Sequence, residues 1–327
     1  MNNTKDLIAE ILLNNRDTYM SGESISERLN ISRASVWKHI NSLKKEGFII
    51  ESKNGSGYKL LSTPEKNFLQ YELLQKLNTK YIGRNIHYFE TIDSTNSQAK
   101  KIADKSREGT LIVSDEQTKG RGRIGKTWIS KHDEGLYFSL ILKPDIPIIK
   151  ANFITQVAGA SIIKALKNLG ISATIKWPND IILNSKKICG ILTEMVAEID
   201  KISYIVVGIG INLKAKSFDK TIQSIASSLL NEGYTINKVD LLVEFLKEFE
   251  YFYNEFLNYN FKPCLDLLRN NSAVIGKDIY IINKDKKTKV HAIDIDDNAN
   301  LLIRYENGKI DTIYTGEISI RGLDSYI

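Results

Sequence analysis

QTKGRGRIGKTW, residues 117–128, decides the fold class, because its core GRGRIG literally matches the G-x-G-x-x-G dinucleotide pattern. A doubly wound dinucleotide fold requires that pattern to open a helix and to meet an acidic residue about 20 positions later. Here the chain runs instead through Trp128 into the strand-like GLYFSLIL, with Leu140 near the expected acidic position. That fold is therefore excluded. Three glycines allow close backbone approach to a ligand, and Arg121, Arg123 and Lys126 place cationic donors on the same segment. The combination suits a phosphate, with a solvated basic turn as the alternative.

Working outward, strand-like runs IHYFETI, TLIVSD, GLYFSLIL, ATIKW and SYIVVGIGIN alternate irregularly with helical stretches between Ile86 and about Leu230. The clearest of these helices, Phe153 to Leu169, is ended by Gly170. This predicts a mixed sheet covered by helices. A long helix from about Lys238 to Leu257 follows Asn237 as cap. After about Ser272 the pattern becomes short β runs (KDIYII, KVHAIDI, LLIRYE, KIDTIYT) with a turn at Asn307-Gly308, which predicts a small β-barrel.

Toward the N-terminus, Leu7, Ile8, Ile11 and Leu12 have helical spacing, Ile25 and Leu29 follow at i, i+4, and Ser32 caps a third helix. That third helix turns Val36, Ile40 and Leu43 inward and leaves Arg33, Ser35, Lys38, His39 and Lys44 outside. FIIESKNGSGYKLL then reads as a hairpin around Asn54-Gly55. Helix, helix, turn, helix, hairpin predicts a winged helix-turn-helix, with Ser32, Arg33, Ser35, Lys38, His39 and the wing residue Lys53 as candidate DNA contacts. A generic three-helix bundle is the alternative. Thr63-Pro64-Glu65 marks a break and the start of the next helix.

The whole is an α+β chain of 327 residues. Its expected units are residues 1–64 (winged helix), 65–271 (central mixed-sheet domain) and 272–327 (β domain). With 42% hydrophobic and 26% charged residues it belongs among globular proteins. No signal-peptide pattern or membrane-length apolar run occurs, and Cys189 and Cys264 fit no zinc or redox motif, so a reducing cytoplasm is expected. A net charge of +6 assists encounter with polyanions without identifying one.

Other motifs accompany the loop. Lys176-Trp177-Pro178-Asn179-Asp180 sets two charges around a proline bend, although a strand end explains it equally. Gly208 and Gly210 in VVGIGIN signal a bulge, a close approach to a ligand, or a tightly packed core strand. Asp93-Ser94-Thr95-Asn96-Ser97 is an N-cap cluster or a polar ligand contact.

Taken in order, DSTN, QTKGRGRIGKTW, KWPND, KKICGIL and VGIGIN resemble the biotin-protein ligase family, and with the terminal modules the likeness spans the chain to the bifunctional ligase and biotin operon repressor type. The resemblance implies a winged helix, a ligase domain and an SH3-like C-terminal barrel. It implies that biotin and ATP give biotinyl-5′-adenylate and diphosphate, and that a lysine of a biotin carboxyl carrier protein domain then takes the biotinyl group. No protein nucleophile is needed, so the four histidines require no catalytic role.

By the same resemblance Ser94, Thr95, Asn96, Gln117, Arg121, Gly122, Arg123 and Lys187 bind biotin, and Arg121, Arg123, Lys187 and Asp180 serve catalysis by orientation and charge stabilisation. Gly120, Lys126, Trp128, Lys176, Asn179, Gly208, Gly210 and Asn212 are implied for ATP and the adenylate, with Asn212 and its glycines near adenine. Mg²⁺ is expected with the nucleotide, and no protein metal site; Asp180 either helps place magnesium or braces the cationic loop. Operator DNA and a homodimer of the adenylate-bound form complete the expected partners. The family often reads QTAGRGRRGR here, so Lys119, Ile124 and Lys126 depart from it, and lysine cannot reproduce a bidentate arginine contact. A biotin-sensing repressor without ligase activity and a lipoate-protein ligase are the alternatives.

Overall fold

A computed structural model describes residues 4–16, 18–62, 68–199, 201–283, 286–314, 318–323 and 326–327. The expected break at Thr63-Pro64-Glu65 lies outside the described residues. Two compact units are distinguished, Met1–Asn78 and Thr79–Ile327.

In the first unit, α1 (Thr4–Asn14), α2 (Gly22–Leu29) and α3 (Arg33–Lys45) pack around Ile8, Leu12, Ile25, Val36, Ile40 and Leu43, all essentially inaccessible to solvent. Ser32 caps α3 as its sequence predicts: the hydroxyl accepts from the Ser35 N–H at 3.1 Å, an interaction of about 1 kcal/mol. The strands β1 (Ile49–Lys53) and β2 (Gly57–Ser62) pair antiparallel around the expected turn, where Gly55 has φ of 78°. Met20 extends the wing through a bridge to Tyr58, and the helix α4 (Phe68–Lys76) closes the unit.

The second unit is built on a seven-stranded mixed sheet. Its strands are β3 (Ile86–Ile92), β4 (Thr110–Gln117), β5 (Gly135–Leu142), β6 (Thr174–Lys176), β7 (Asp180–Leu183), β8 (Lys186–Glu198) and β9 (Lys201–Asn212), in the order β3-β4-β5-β9-β8-β7-β6. Only β3 and β4 run parallel, and α5 (Thr95–Ile102) is the crossover they need. Every residue of β5 is buried, consistent with an apolar sequence broken only by Ser139 in the interior of the sheet.

Helices α6 (Asn152–Asn168), α7 (Lys238–Leu257) and α8 (Lys262–Asn270) cover the sheet. Stacked and edge-on aromatic contacts among Phe153, Phe256 and Phe261 tie α6 to α7.

The C-terminal strands β10 (Asp278–Asn283), β11 (Lys286–Ile295), β12 (Leu301–Tyr305), β13 (Ile310–Ile313) and β14 (Ile318–Gly322) form a five-stranded antiparallel sheet in the order β13-β12-β11-β10-β14, compatible with the expected small barrel. The last strand lies beyond the four runs expected from sequence. Trp177 Nε1 donates to the Ala299 carbonyl at 3.0 Å, and Lys176 to that of Tyr326 at 3.0 Å, so this sheet is anchored on the KWPND segment. No described helix is long and apolar enough to cross a membrane.

Candidate active site

The loop after β4 folds as a small hairpin and opens no helix. Gln117 bridges to Ser130 and Arg121 to Thr127, and the Gly122 N–H donates to the Lys126 carbonyl at 2.7 Å. The turn at its tip needs positive φ at both Ile124 (54°) and Gly125 (68°). Gly120 lies beneath Trp128: a Cβ there would come within 2.3 Å of the Trp128 carbonyl oxygen. It borders neither of the cavities described next, so its place is in holding the loop.

A narrow cavity opens between this loop, the start of α5 and the sheet. Its floor is the register of β8 and β9, which sets Gly190 opposite Gly210 and Leu192 opposite Gly208. Trp128 lies across that floor: a Cβ on Gly210 would meet its Nε1 at 2.4 Å, and one on Gly208 would meet Asn96 Oδ1 at 2.0 Å. Both glycines therefore face the narrow cavity, whereas the sequence reading set them beside adenine with Asn212. Asn212 itself lies at the other end, donating to the Ser227 carbonyl.

The wall of the narrow cavity beside α5 is a network of neutral side chains, bordered by Arg121, Arg123 and Lys187. Ser94 caps α5, so the DSTN run is both a helix cap and a cavity lining. Thr95 donates through its backbone N–H and its hydroxyl to Gln117 Oε1, at 2.9 and 3.1 Å, and Gln117 Nε2 donates to Ser130. Ser139, fully buried on β5, is placed 2.8 Å from Thr95 Oγ1 and 2.6 Å from Asn96 Oδ1. Asn96 also donates to Glu194, which receives Lys100 at 2.5 Å and Arg121 at 3.1 Å. Burial works to raise the Glu194 pKa, but these donors hold it below the usual carboxylate value. The Arg121 guanidinium is thus committed to Glu194 at the rim, apart from the cationic cluster to which its sequence position assigns it.

A wider cavity of about 400 Å³ continues from the narrow one, and Gly122, Arg123, Trp128, Asn179 and Lys187 border both. Arg123 donates to Asn179 at 2.7 Å, and burial lowers its pKa against the opposing effect of Asp180. Lys187 lies 2.6 Å from Asp180 Oδ1 and over the Trp128 ring. Asp180 accepts at its other oxygen from the Tyr326 hydroxyl at 2.5 Å. Burial pushes the Asp180 pKa up, yet Lys187, Tyr326 and Lys176 together keep it below the usual value.

Lys176, almost wholly buried, donates to the Tyr326 carbonyl, and its Nζ lies 3.3 Å from the centroid of that ring. Burial first, and Arg321 second, lower its pKa to about 6. Lys126 is lowered by the same two causes in the same order. This end is therefore a concentration of cations whose mutual repulsion an anion would relieve.

Sequence reading missed contributors from three segments. Ser139 is an isolated serine in an apolar strand. Arg321 and Tyr326 arrive from the C-terminal sheet, and Phe218, Asp219 and Ile222 from the segment after β9, none with a local signal. The candidate DNA contacts fall outside this unit: Ser32, Arg33 and Lys38 are exposed on α3, Ser35 and His39 are half-buried at its flank, and Lys53 is exposed on β1 near the Tyr19 ring.

Among the described residues no group of three or more His, Cys, Asp or Glu could hold a metal. Both Asp180 oxygens are engaged by protein groups.

A polar cavity floored by glycines, continuous with a cation-lined groove on a mixed sheet and joined in the chain to a winged helix, defines the class of protein ligases that carry their own helix-turn-helix. Residues 88–212 match the biotin/lipoate A/B protein ligase family, 4–59 a helix-turn-helix domain, and 274–321 the biotin protein ligase C-terminal domain. The bifunctional ligase/repressor BirA of Bacillus spizizenii is 36% identical over 97% of this chain and 98% of its own length, and that of Escherichia coli is 29% identical over 98% and 99%. The biotin protein ligase of Aquifex aeolicus, solved with biotin and ATP, superposes with a TM-score of 0.65 at 29% identity, covering 73% of this chain and 99% of that one. The chain belongs to the bifunctional ligase/repressor family of biotin protein ligases.

Proposed function

We propose that the protein joins biotin to ATP, forming biotinyl-5′-adenylate and diphosphate, and transfers the biotinyl group to a lysine of a biotin carboxyl carrier domain. The observation that carries this reading is the junction of the two cavities. Lys187 stands there with Arg123, between a neutral hydrogen-bonding end suited to a ureido head and a cationic end suited to a triphosphate.

Thr95, Asn96 and Gln117, supported by Ser94 and Ser139, bind the biotin head in the narrow end. Gly208 makes room for Asn96, and Gly190 and Gly210 for Trp128, so the glycines seat the side chains that wall the site. Trp128 Nε1, buried without a hydrogen-bond partner, is a donor available to the bound adenylate. Lys187 and Arg123 neutralise charge as the biotin carboxylate attacks the α-phosphorus and diphosphate leaves. Asn179 holds Arg123, and Asp180 braces Lys187. Lys126, Lys176 and Arg321 surround the phosphates, and Asn212 lies at the nucleoside end. Gly120 and Gly122 shape the loop, and Arg121 tethers it through Glu194. Mg²⁺ enters as part of the nucleotide substrate. Residues 65–271 and 272–327 serve this chemistry together.

Residues 1–64 bind operator DNA. Adenylate binding orders the loops and favours a homodimer that presents two winged helices to an inverted repeat. Two measurements test the whole: biotin-dependent ATP–diphosphate exchange followed by transfer of labelled biotin to a carrier domain, and operator affinity with and without biotin plus ATP at fixed salt. Exchange that responds to lipoate in place of biotin would reassign the substrate. Absence of transfer would leave a biotin-sensing repressor, and operator affinity indifferent to both ligands would remove the regulatory role.

A further inference from the structure

The exposed face of α3 carries Arg33, Lys38 and Lys44 as its sequence suggested, and Trp37, which the sequence reading did not single out. Arg33, Ala34, Trp37, Lys38, Lys44 and Lys45 are the residues of this helix open to solvent, while Ser35 and His39 have turned toward its flank. At the centre of that stripe Trp37 is 61% exposed. An indole held in water on a single face of a helix that carries four exposed cations and no acidic residue is an apolar surface awaiting a polyanionic partner. Glu46, which follows the helix, is occupied by Lys5 at 2.6 Å and by the Ser42 hydroxyl.

We infer that Trp37 reads operator sequence directly, its indole packing on the 5-methyl group of a thymine in the major groove while Arg33 and Lys38 take the flanking phosphates. This rests on the DNA-binding reading above and deepens it. The chemistry selects the base: an indole has no acceptor for cytosine or adenine amino groups, and the thymine methyl is the one apolar feature that a base pair displays in that groove. Arginine and lysine would fix orientation without reading sequence. Burying so large an apolar surface then adds discrimination that is insensitive to salt, whereas the lysines supply affinity that is not.

The test uses the full chain and a duplex selected by it from a random library in the presence of biotin and ATP. Replacing single thymines of each half-site by deoxyuridine deletes only the methyl group. At one position this should weaken wild-type binding about fourfold, the effect of one lost buried methyl. Trp37→Ala should bind the selected duplex at least tenfold more weakly, be indifferent to deoxyuridine at that position, and keep the wild-type salt dependence and the affinity for unrelated duplex. Biotin transfer should be unchanged in this variant, and Trp37→Phe, which keeps an apolar ring, should retain part of the discrimination.

Equal deoxyuridine sensitivity in wild type and Trp37→Ala would overturn the assignment, as would an unaltered ratio of specific to unrelated binding. A variant that binds DNA normally but no longer responds to biotin would place Trp37 in a protein contact and also overturn it. Failure of the wild-type chain to select any duplex would refute the DNA-binding reading itself, a result distinct from wild-type selection with no role for Trp37.

Discussion

The two ends of the groove differ in what they are made of and in where it comes from. The narrow end is a lattice of neutral donors and acceptors on a glycine floor, supplied by α5, the first part of the loop and the sheet strands β5, β8 and β9. The wide end is five basic side chains, one of them the lowered Lys176, around one buried carboxylate, drawn from the loop tip, KWPND, β8 and the C-terminal sheet. A lattice of fixed hydrogen bonds recognises by shape and tolerates salt and pH. A cluster of desolvated cations recognises by charge, and responds to both.

That contrast is most exposed at the residue common to both ends. Lys187→Ala removes the cation at the junction, and ATP–diphosphate exchange should fall by on the order of 100-fold or more, as for loss of a preorganised charge-stabilising donor. KM for biotin and for ATP should both rise. A variant defective toward only one substrate would show that the ends act separately.

Gly208→Ala addresses the narrow end alone. The added Cβ would lie 2.0 Å from Asn96 Oδ1, so Asn96 must leave its place between Ser139 and Glu194. KM for biotin should rise roughly 10- to 30-fold, the scale of an overpacked contact, with KM for ATP within about twofold.

Tyr326→Phe addresses the wide end while keeping the ring against Lys176. Loss of its hydroxyl removes a donor to ionised Asp180, so exchange should fall about tenfold, the scale of a hydrogen bond to a charged group. Because that bond favours the carboxylate, its loss raises the Asp180 pKa, and the acid limb of the pH–rate profile should move to higher pH. KM for biotin should not change.

The smallest effect concerns Lys176. With its pKa lowered to about 6 it is largely neutral at pH 7.5, and a bound polyphosphate favours its protonated form. ATP binding should therefore take up a proton, and affinity should strengthen a few-fold as pH falls from 8 toward 6, levelling below. Calorimetry in buffers of different ionisation enthalpy measures that uptake. Biotin binding alone should show none, and equal uptake with both ligands would erase the distinction between the ends.

Legibility in the sequence follows the range of the interactions. The helix caps at Ser32, Ser94 and Asn237, the wing turn at Gly55 and the helix end at Gly170 are local events, settled within four or five residues, and each stands where the sequence places it. The ligase motifs are contiguous strings, so the loop, KWPND and the glycine strand could be found without knowing how they meet. Ser139 could not, because only the β5–β9 pairing brings its strand under α5. The period of α3 placed Val36, Ile40 and Leu43 inward and Arg33, Lys38 and Lys44 outward, while the half-burial of Ser35 and His39 and the exposure of Trp37 depend on how the helix packs on its neighbours.

By itself, then, the sequence determined the order of modules, the strands and caps, and which segments carry cations and glycines, because hydrophobic period and turn chemistry act over one element at a time. Tertiary structure alone decided that Arg121 turns to Glu194 while Arg123 turns to Asn179, and that Gly208 and Gly210 face the narrow end. It alone brought Arg321 and Tyr326 to Lys176 and Asp180 across some 145 residues of chain. Charges on one loop diverge or converge according to which partner is buried beside them, and that is a property of packing between elements that no local pattern encodes.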